Sequence, residues 1–360
     1  MPTLHSDSTL VLATDSTYFS GAERSFANLA SGLAASYSTT LLCTPEVEES
    51  FSKESGSAQV KGIVTRSKVN IAFFIRAISL LQRLAPQVLV INMWSPYANT
   101  LLLLAAKYTR TPTLTIYHYY QEKKDVTGLL RPIKLWAYRF GAKLATKIAT
   151  VSEAHRQILI TEFGFSESLV SVIPNGIAPV TIAEYAPHQP PRFLTVGTLE
   201  LAKGYHIILD ALHLVTTPIS LSLVGDGPDR AYLESRAATV PTRHQVTFLG
   251  KQQNMGEQYR SHDILLQPSR IENLSMAILE SMAYQLPCIA SSVGGNPELV
   301  IHEETGLLVP FGDIAGWAAA IERGATENWQ QLAISAHERW QHYFTLEHQI
   351  EATVQLLETL

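Results

Sequence analysis

Residues 264–283 read Ile264-Leu265-Leu266-Gln267-Pro268-Ser269-Arg270-Ile271-Glu272-Asn273-Leu274-Ser275-Met276-Ala277-Ile278-Leu279-Glu280-Ser281-Met282-Ala283. Ile264–Gln267 is a short apolar run closed by a proline, the pattern of a buried strand. From Leu274 onward apolar residues fall almost all round a helical repeat, which predicts a helix over Leu274–Tyr284 that is buried rather than amphipathic. A buried strand, a short loop and a buried helix form the unit from which parallel α/β sheets are built.

The same unit recurs in both directions. After Pro191 strands are expected at Phe193–Val196, Leu221–Val224, Val246–Leu249, Cys288–Ala290 and Gly306–Val309, with helices from about Gly204, near Tyr232 and over Ile314–Arg323. Helical residues also fill most of Trp329–Leu360. In the first half, strands are expected at Leu10–Thr14, Thr39–Cys43, Val88–Asn92, Thr113–Tyr117, Lys147–Val151 and Val170–Ile173. Helices are expected over Ala22–Ala35, Ile71–Leu84 and Glu153–Phe163. The segment Ile177–Pro191 interrupts the rhythm with four prolines, as interdomain linkers do. We therefore expect an α/β protein of two doubly wound, Rossmann-like domains facing across a cleft: 1–178, a linker 179–191, and 192–340. A C-terminal helix, 341–360, is expected to pack back on the first domain. Ligands of such sheets bind beyond the carboxyl ends of the strands.

Composition excludes several classes. The 360 residues are 46% hydrophobic and 16% charged, with a net charge of −5, which suits two buried cores and argues against a nucleic-acid partner. Two cysteines, Cys43 and Cys288, make neither a disulfide framework nor a four-thiolate zinc site and read as buried hydrophobes. The N-terminus has no signal-peptide pattern, and no stretch approaches the roughly 20 apolar residues of a membrane span. A cytoplasmic setting is expected, with attachment to a membrane surface left open.

Glu280 is the chemically informative residue of the opening stretch. A carboxylate in a buried helix needs a polar partner. The vicinal hydroxyls of a ribose would supply one, and an ordinary lysine would supply another. Glu272, before the helix, is placed beside backbone N–H groups that can hold a phosphate; the plainer reading is an acidic residue favoured by the helix dipole.

With these residues in hand, the chain resembles the retaining, group 1 members of glycosyltransferase family 4, which have the GT-B fold. Glu272 and Glu280, with seven residues between them, match the family's paired glutamates. Val196-Gly197-Thr198-Leu199-Glu200-Leu201-Ala202-Lys203-Gly204 looks like its donor-phosphate segment. Leu223-Val224-Gly225-Asp226-Gly227-Pro228 looks like its glycine turn near the nucleotide. Gln267-Pro268-Ser269, Gly294-Gly295-Asn296-Pro297-Glu298 and Ile173-Pro174-Asn175-Gly176 also fit, as does Phe19-Ser20-Gly21-Ala22-Glu23-Arg24 after the first strand.

The resemblance implies transfer of a hexose-type sugar, with retention, from a UDP- or GDP-sugar to a glycan or lipid-linked acceptor. It implies catalytic roles for His118, Lys203 and Glu272. Donor binding would fall to Gly21, Gly197, Lys203, Gly225, Asn273, Leu274, Ser275 and Glu280. No cofactor is implied, and with no Asp-X-Asp pair in the chain no metal site is expected. Asn92 and Trp94 would bound the acceptor side.

Each residue also has a plainer reading. Gly21 can simply ease a strand-to-helix turn, His118 can be a loop histidine, and Lys203 a lysine on a solvated face. The family's usual second cation is replaced here by Thr198. That keeps open a catalytically impaired sugar-nucleotide-binding partner protein, alongside another GT-B enzyme such as an epimerase. Finally, Gln121–Thr150 carries seven basic residues against two acidic ones, interleaved with Trp136, Tyr138 and Phe140. Its 121–147 portion reads either as a contact for anionic lipid or as a solvated helix packing its apolar stripe on the sheet.

Overall fold

The structure is a computed structural model and describes residues 5, 7–62, 71–93, 100–118, 131–182 and 187–360. It divides into two compact units, Met1–Gly176 with Leu346–Leu360, and Ile177–Thr345.

The first unit holds seven parallel strands: β1 (Thr9–Thr14), β2 (Ser38–Cys43), β3 (Gln59–Gly62), β4 (Val88–Met93), β5 (Thr113–Tyr117), β6 (Lys147–Thr150) and β7 (Val170–Val172). They pair in the order β3-β2-β1-β4-β5-β6-β7. Because strand side chains alternate between faces, the sheet feeds two cores. Val11, Ala13, Leu89 and Ile91 enter one, with Leu81, Leu102 and Leu103 from helices Ile71–Leu84 and Thr100–Thr109. Leu10, Leu12, Val88 and Val90 enter the other. There they meet Phe26, Leu29 and Leu33 of helix Gly21–Ala34 and Leu357 of helix Leu346–Leu357. Both faces are thus covered, as an all-parallel sheet requires.

The second unit repeats the plan with β8 (Arg192–Val196), β9 (Ser220–Val224), β10 (Gln245–Gly250), β11 (Ile264–Gln267), β12 (Cys288–Ser291) and β13 (Gly306–Val309). The order is β10-β9-β8-β11-β12-β13, all parallel. In each sheet the order reverses once, between β1 and β4 and between β8 and β11. Those two gaps are where a doubly wound sheet opens a crevice for a ligand.

Several elements differ from the sequence reading. The helix expected from Leu274 begins at Met276 and ends at Ala283, because Ser275 is its N-cap and accepts from the Ile278 N–H. The C-terminal helical stretch is two helices, Gln330–Tyr343 and Leu346–Leu357. Strand β3 and helix Glu48–Glu54 were not anticipated. β3 is only partly buried and carries Gln59 and Lys61, so it lacks the apolar run that marks a central strand.

Cys43 and Cys288 are free and buried, and burial pushes the Cys43 thiol up to about 12. Among the described residues no helix is long and apolar enough to cross a membrane. Of the basic stretch, residues 121–130 lie outside the described residues, as does Trp94. Farther along, Arg139 and Lys147 donate to the backbone carbonyls of Phe163 and Ser168, while Trp136 is exposed and stacked on Phe140.

Candidate functional site

In the second unit the chain leaves β8 at Gly197 and β9 at Gly225, and the two turns touch. A Cβ on Gly225 would sit 1.9 Å from the Gly197 carbonyl oxygen, so nothing larger than glycine fits this turn. The Gly197 N–H donates to the Val224 carbonyl, and the Gly225 N–H to the Gly250 carbonyl. The carboxyl ends of three neighbouring strands are thereby laced together without side chains, which lets another group approach the backbone.

From Gly197 the chain runs to a single turn, Leu201–Lys203, that ends at Gly204 with φ +74°. This left-handed residue turns the chain into helix Tyr205–Ala211. A Cβ there would lie 2.0 Å from the Pro268 carbonyl oxygen. The Arg270 N–H donates to the Ala202 carbonyl, a second tie between the two loops. The loop carrying Lys203 therefore rests on the loop leaving β11, on the other side of the gap where strand order reverses.

That contact brings Lys203 to Glu272. Lys203 Nζ donates to Glu272 Oε1 at 2.6 Å, with the two side chains 29% and 12% exposed. The same oxygen accepts from Gln267 Nε2 at 2.9 Å and from the Ser269 hydroxyl at 2.8 Å. Gln267 also donates to Ser269 Oγ, and the Ser291 hydroxyl donates to the Ser269 carbonyl. Asn296 Nδ2 then holds the Ser291 carbonyl. A hydrogen-bonded chain thus runs from Lys203 through Glu272, Ser269 and Ser291 to Asn296. Such a chain fixes the orientation of a half-buried ion pair whose charges would otherwise be costly to desolvate.

Glu280 lies just over one turn into the helix that starts at Met276. Ala277, Ile278, Leu279, Met282 and Ala283 around it are buried, but Glu280 itself is half-buried. The Tyr259 hydroxyl donates to its Oε2 at 2.5 Å. Tyr259 is buried and stacked on Tyr284, ring centroids 5.3 Å apart. The polar partner required by the apolar helix is therefore, for one carboxylate oxygen, a phenol of the chain itself. Asn273, Leu274 and Ser275 are buried in the bend between the two glutamates.

In the first unit Gly21 is the first residue of the helix that follows β1, behind Ser20. Both the N–H and the hydroxyl of Ser20 donate to Glu23. His118 directly follows β5, and its Nδ1 meets Asn92 Oδ1, at the end of β4, at 2.8 Å. Burial pushes the His118 imidazole down to about 4, against a hydrogen bond with the Asn175 side chain that pulls the other way. It is neutral at pH 7. Asn175 in turn accepts from the Ser25 hydroxyl.

The sequence reading brought Lys203 and Glu272 to one site, and the structure joins them directly. It missed Tyr205, Tyr259 and Ser291. Each sits where nothing in a linear pattern distinguishes a polar group facing the site from an ordinary helix or strand residue.

Architecture and site define a class: a GT-B protein of two Rossmann-like domains. Residues 19–180 match the family model described as Glycosyltransferase Family 4, and residues 190–327 that described as Glycosyl transferases group 1. Each of the two units is thus similar, over most of its length, to a glycosyltransferase family model. The chain is 34% identical over 125 residues to the N-acetyl-alpha-D-glucosaminyl L-malate synthase of Bacillus anthracis, covering 34% of this chain and 33% of that one. It is 25% identical over 253 residues to the 2-deoxystreptamine glucosyltransferase of Streptomyces kanamyceticus, covering 64% and 65%. The chain thus spans less than two thirds of the length of these curated relatives. The crystal structure of Anabaena HepE in complex with UDP matches with a TM-score of 0.83 at 18% identity, over 98% of this chain and 100% of that chain.

Proposed function

We propose that the chain transfers a hexose-type sugar from a UDP- or GDP-sugar to a glycan or lipid-linked acceptor, with retention of anomeric configuration. The observation that carries this reading is the Lys203–Glu272 pair, drawn from two loops 69 residues apart to the point where strand order reverses. As the bond between sugar and diphosphate breaks, negative charge builds on the leaving oxygen and must be met by a fixed cation or by N–H groups. Lys203 is that cation, assisted by the backbone of Asn273–Ser275, and Gly197 and Gly225 allow the phosphates to approach the main chain. Glu280 takes the ribose hydroxyls and Glu272 orients the donor sugar, while in the first unit His118 and Gly21 keep the catalytic and donor-binding roles that the resemblance implies for them. On this reading diphosphate binding draws Lys203 toward phosphate and leaves Glu272 held by Gln267 and Ser269. Anabaena HepE forms crystal complexes with UDP and with UDP-glucose, which supports a donor of this kind.

The test is sugar transfer by Lys203→Ala. Loss of a single charge-stabilising group costs roughly 100- to 1,000-fold in turnover, and the partly exposed side chain leaves the fold intact. Turnover within a few-fold of wild type would remove Lys203 from the mechanism and with it this reading.

Thr198, exposed on the loop that carries Lys203, favours a second reading, a binding partner without turnover: its hydroxyl brings no charge. Nucleoside diphosphate binding without consumption of any donor across a UDP- and GDP-sugar panel would establish it.

A further inference from the structure

Tyr205 begins the helix after Gly204, and its side chain is buried at 1% exposure. Among the described residues its hydroxyl has no hydrogen-bond partner. It lies 2.7 Å from the point a Cβ on Gly197 would occupy, and Lys203 Cε lies 3.9 Å from that same point. The hydroxyl and the Lys203 stem thus converge on the residue where β8 ends, on the side that Gly197 leaves without a side chain.

A buried hydroxyl with no acceptor destabilises the folded chain, because its lost hydration is not replaced. Phenylalanine would fill the same volume without that cost. The group's state is also defined: burial, and then the carboxylates of Glu272 and Glu200, hold the phenol far above its usual range. It is a proton donor at any physiological pH, waiting for an acceptor from outside the chain. The acceptor that the neighbouring Lys203 would hold within reach is an anionic oxygen.

We propose that the Tyr205 hydroxyl is a donor-binding group that hydrogen-bonds a diphosphate oxygen of the sugar nucleotide beside Gly197, working with Lys203 where Thr198 supplies no charge. The proposal rests on the sugar-nucleotide reading above and adds a residue to it. It makes the hydroxyl costly in the empty protein and useful in the occupied one, so its removal has opposite effects on the two.

The experiment compares wild type with Tyr205→Phe by calorimetric titration of UDP, GDP, uridine and guanosine, together with thermal melts of the unliganded proteins. Wild type binding neither diphosphate would refute the sugar-nucleotide reading itself, before any variant is compared. If a diphosphate binds, Tyr205→Phe should weaken it roughly tenfold and leave its nucleoside unchanged. The unliganded variant should melt at or above the wild-type temperature. Diphosphate affinity within twofold of wild type would overturn the proposal, because the hydroxyl would then be served by an ordered water. A lowered melting temperature with diphosphate and nucleoside weakened alike would also overturn it, by showing a packing role.

Discussion

At the scale of single residues, Glu280 and Tyr259 show how one carboxylate is kept in a largely apolar helix. The phenol engages Oε2 at 2.5 Å, while the partial exposure of the glutamate keeps the charge in contact with solvent. Ribose recognition needs a carboxylate that accepts from two hydroxyls; an amide offers one acceptor and one donor. Glu280→Gln keeps the volume and can still accept from Tyr259, so its melting temperature should stay within a few degrees of wild type. Affinity for the nucleoside alone should fall by about tenfold or more, since leaving polar groups mispaired costs on the order of 1–3 kcal/mol. Equal nucleoside affinity in the two proteins, measured by calorimetry, would detach Glu280 from the ribose. The sequence showed that Glu280 needs a partner; it did not show Tyr259, which lies 21 residues away on another helix.

At the scale of elements, the position of Lys203 depends on the turn at Gly204. Its left-handed φ and the 2.0 Å approach of the Pro268 carbonyl exclude a side chain twice over. Gly204→Ala should cost about 1–3 kcal/mol for the strained backbone and separate the two loops. Melting temperature and turnover should then fall together, and an unchanged melting temperature would show that the loop contact is not required. The strands and helices themselves were legible to within a residue or two wherever an apolar run was long enough, as at β1, β4 and β11. Edge strand β3 was not, because half-exposed strands carry mixed residues. Strand order was the larger gap. No local pattern places β8 beside β11, yet that pairing brings residue 203 to residue 272. Paired glutamates and a lysine could therefore be named from sequence, but their ion pair and the Gln267–Ser269–Ser291–Asn296 chain behind it could not.

At the scale of the whole molecule, the buried histidines set the response to acid. Burial pushes His155 down to about 3 and His118 down to about 4, both in the first unit. Burial also lowers His206, His244 and His262 in the second. In the unfolded chain these imidazoles take up protons near pH 6.5. Between that value and their folded values the unfolded state binds more protons, so stability must fall as pH falls. Glu322 adds to the loss further down. Burial alone would raise its carboxyl, but hydrogen bonds from Thr216 and Thr217 hold it at about 2. Its contribution is complete above the usual carboxylate range and disappears as pH drops from about 4.5 toward 2. Thermal melts should accordingly be level at pH 7–8, decline from about pH 6.5, and steepen below about 4.5. His155 is fully buried and its Nδ1 meets the Thr150 hydroxyl at 2.7 Å, so it should contribute to the upper part of that decline. His155→Gln should start from a lower melting temperature at pH 7.5 and lose less between pH 6.5 and 5 than wild type does. A wild-type melting temperature that stays level down to pH 5 would show that these imidazoles are protonated in the folded protein, and the burial account of them would fail.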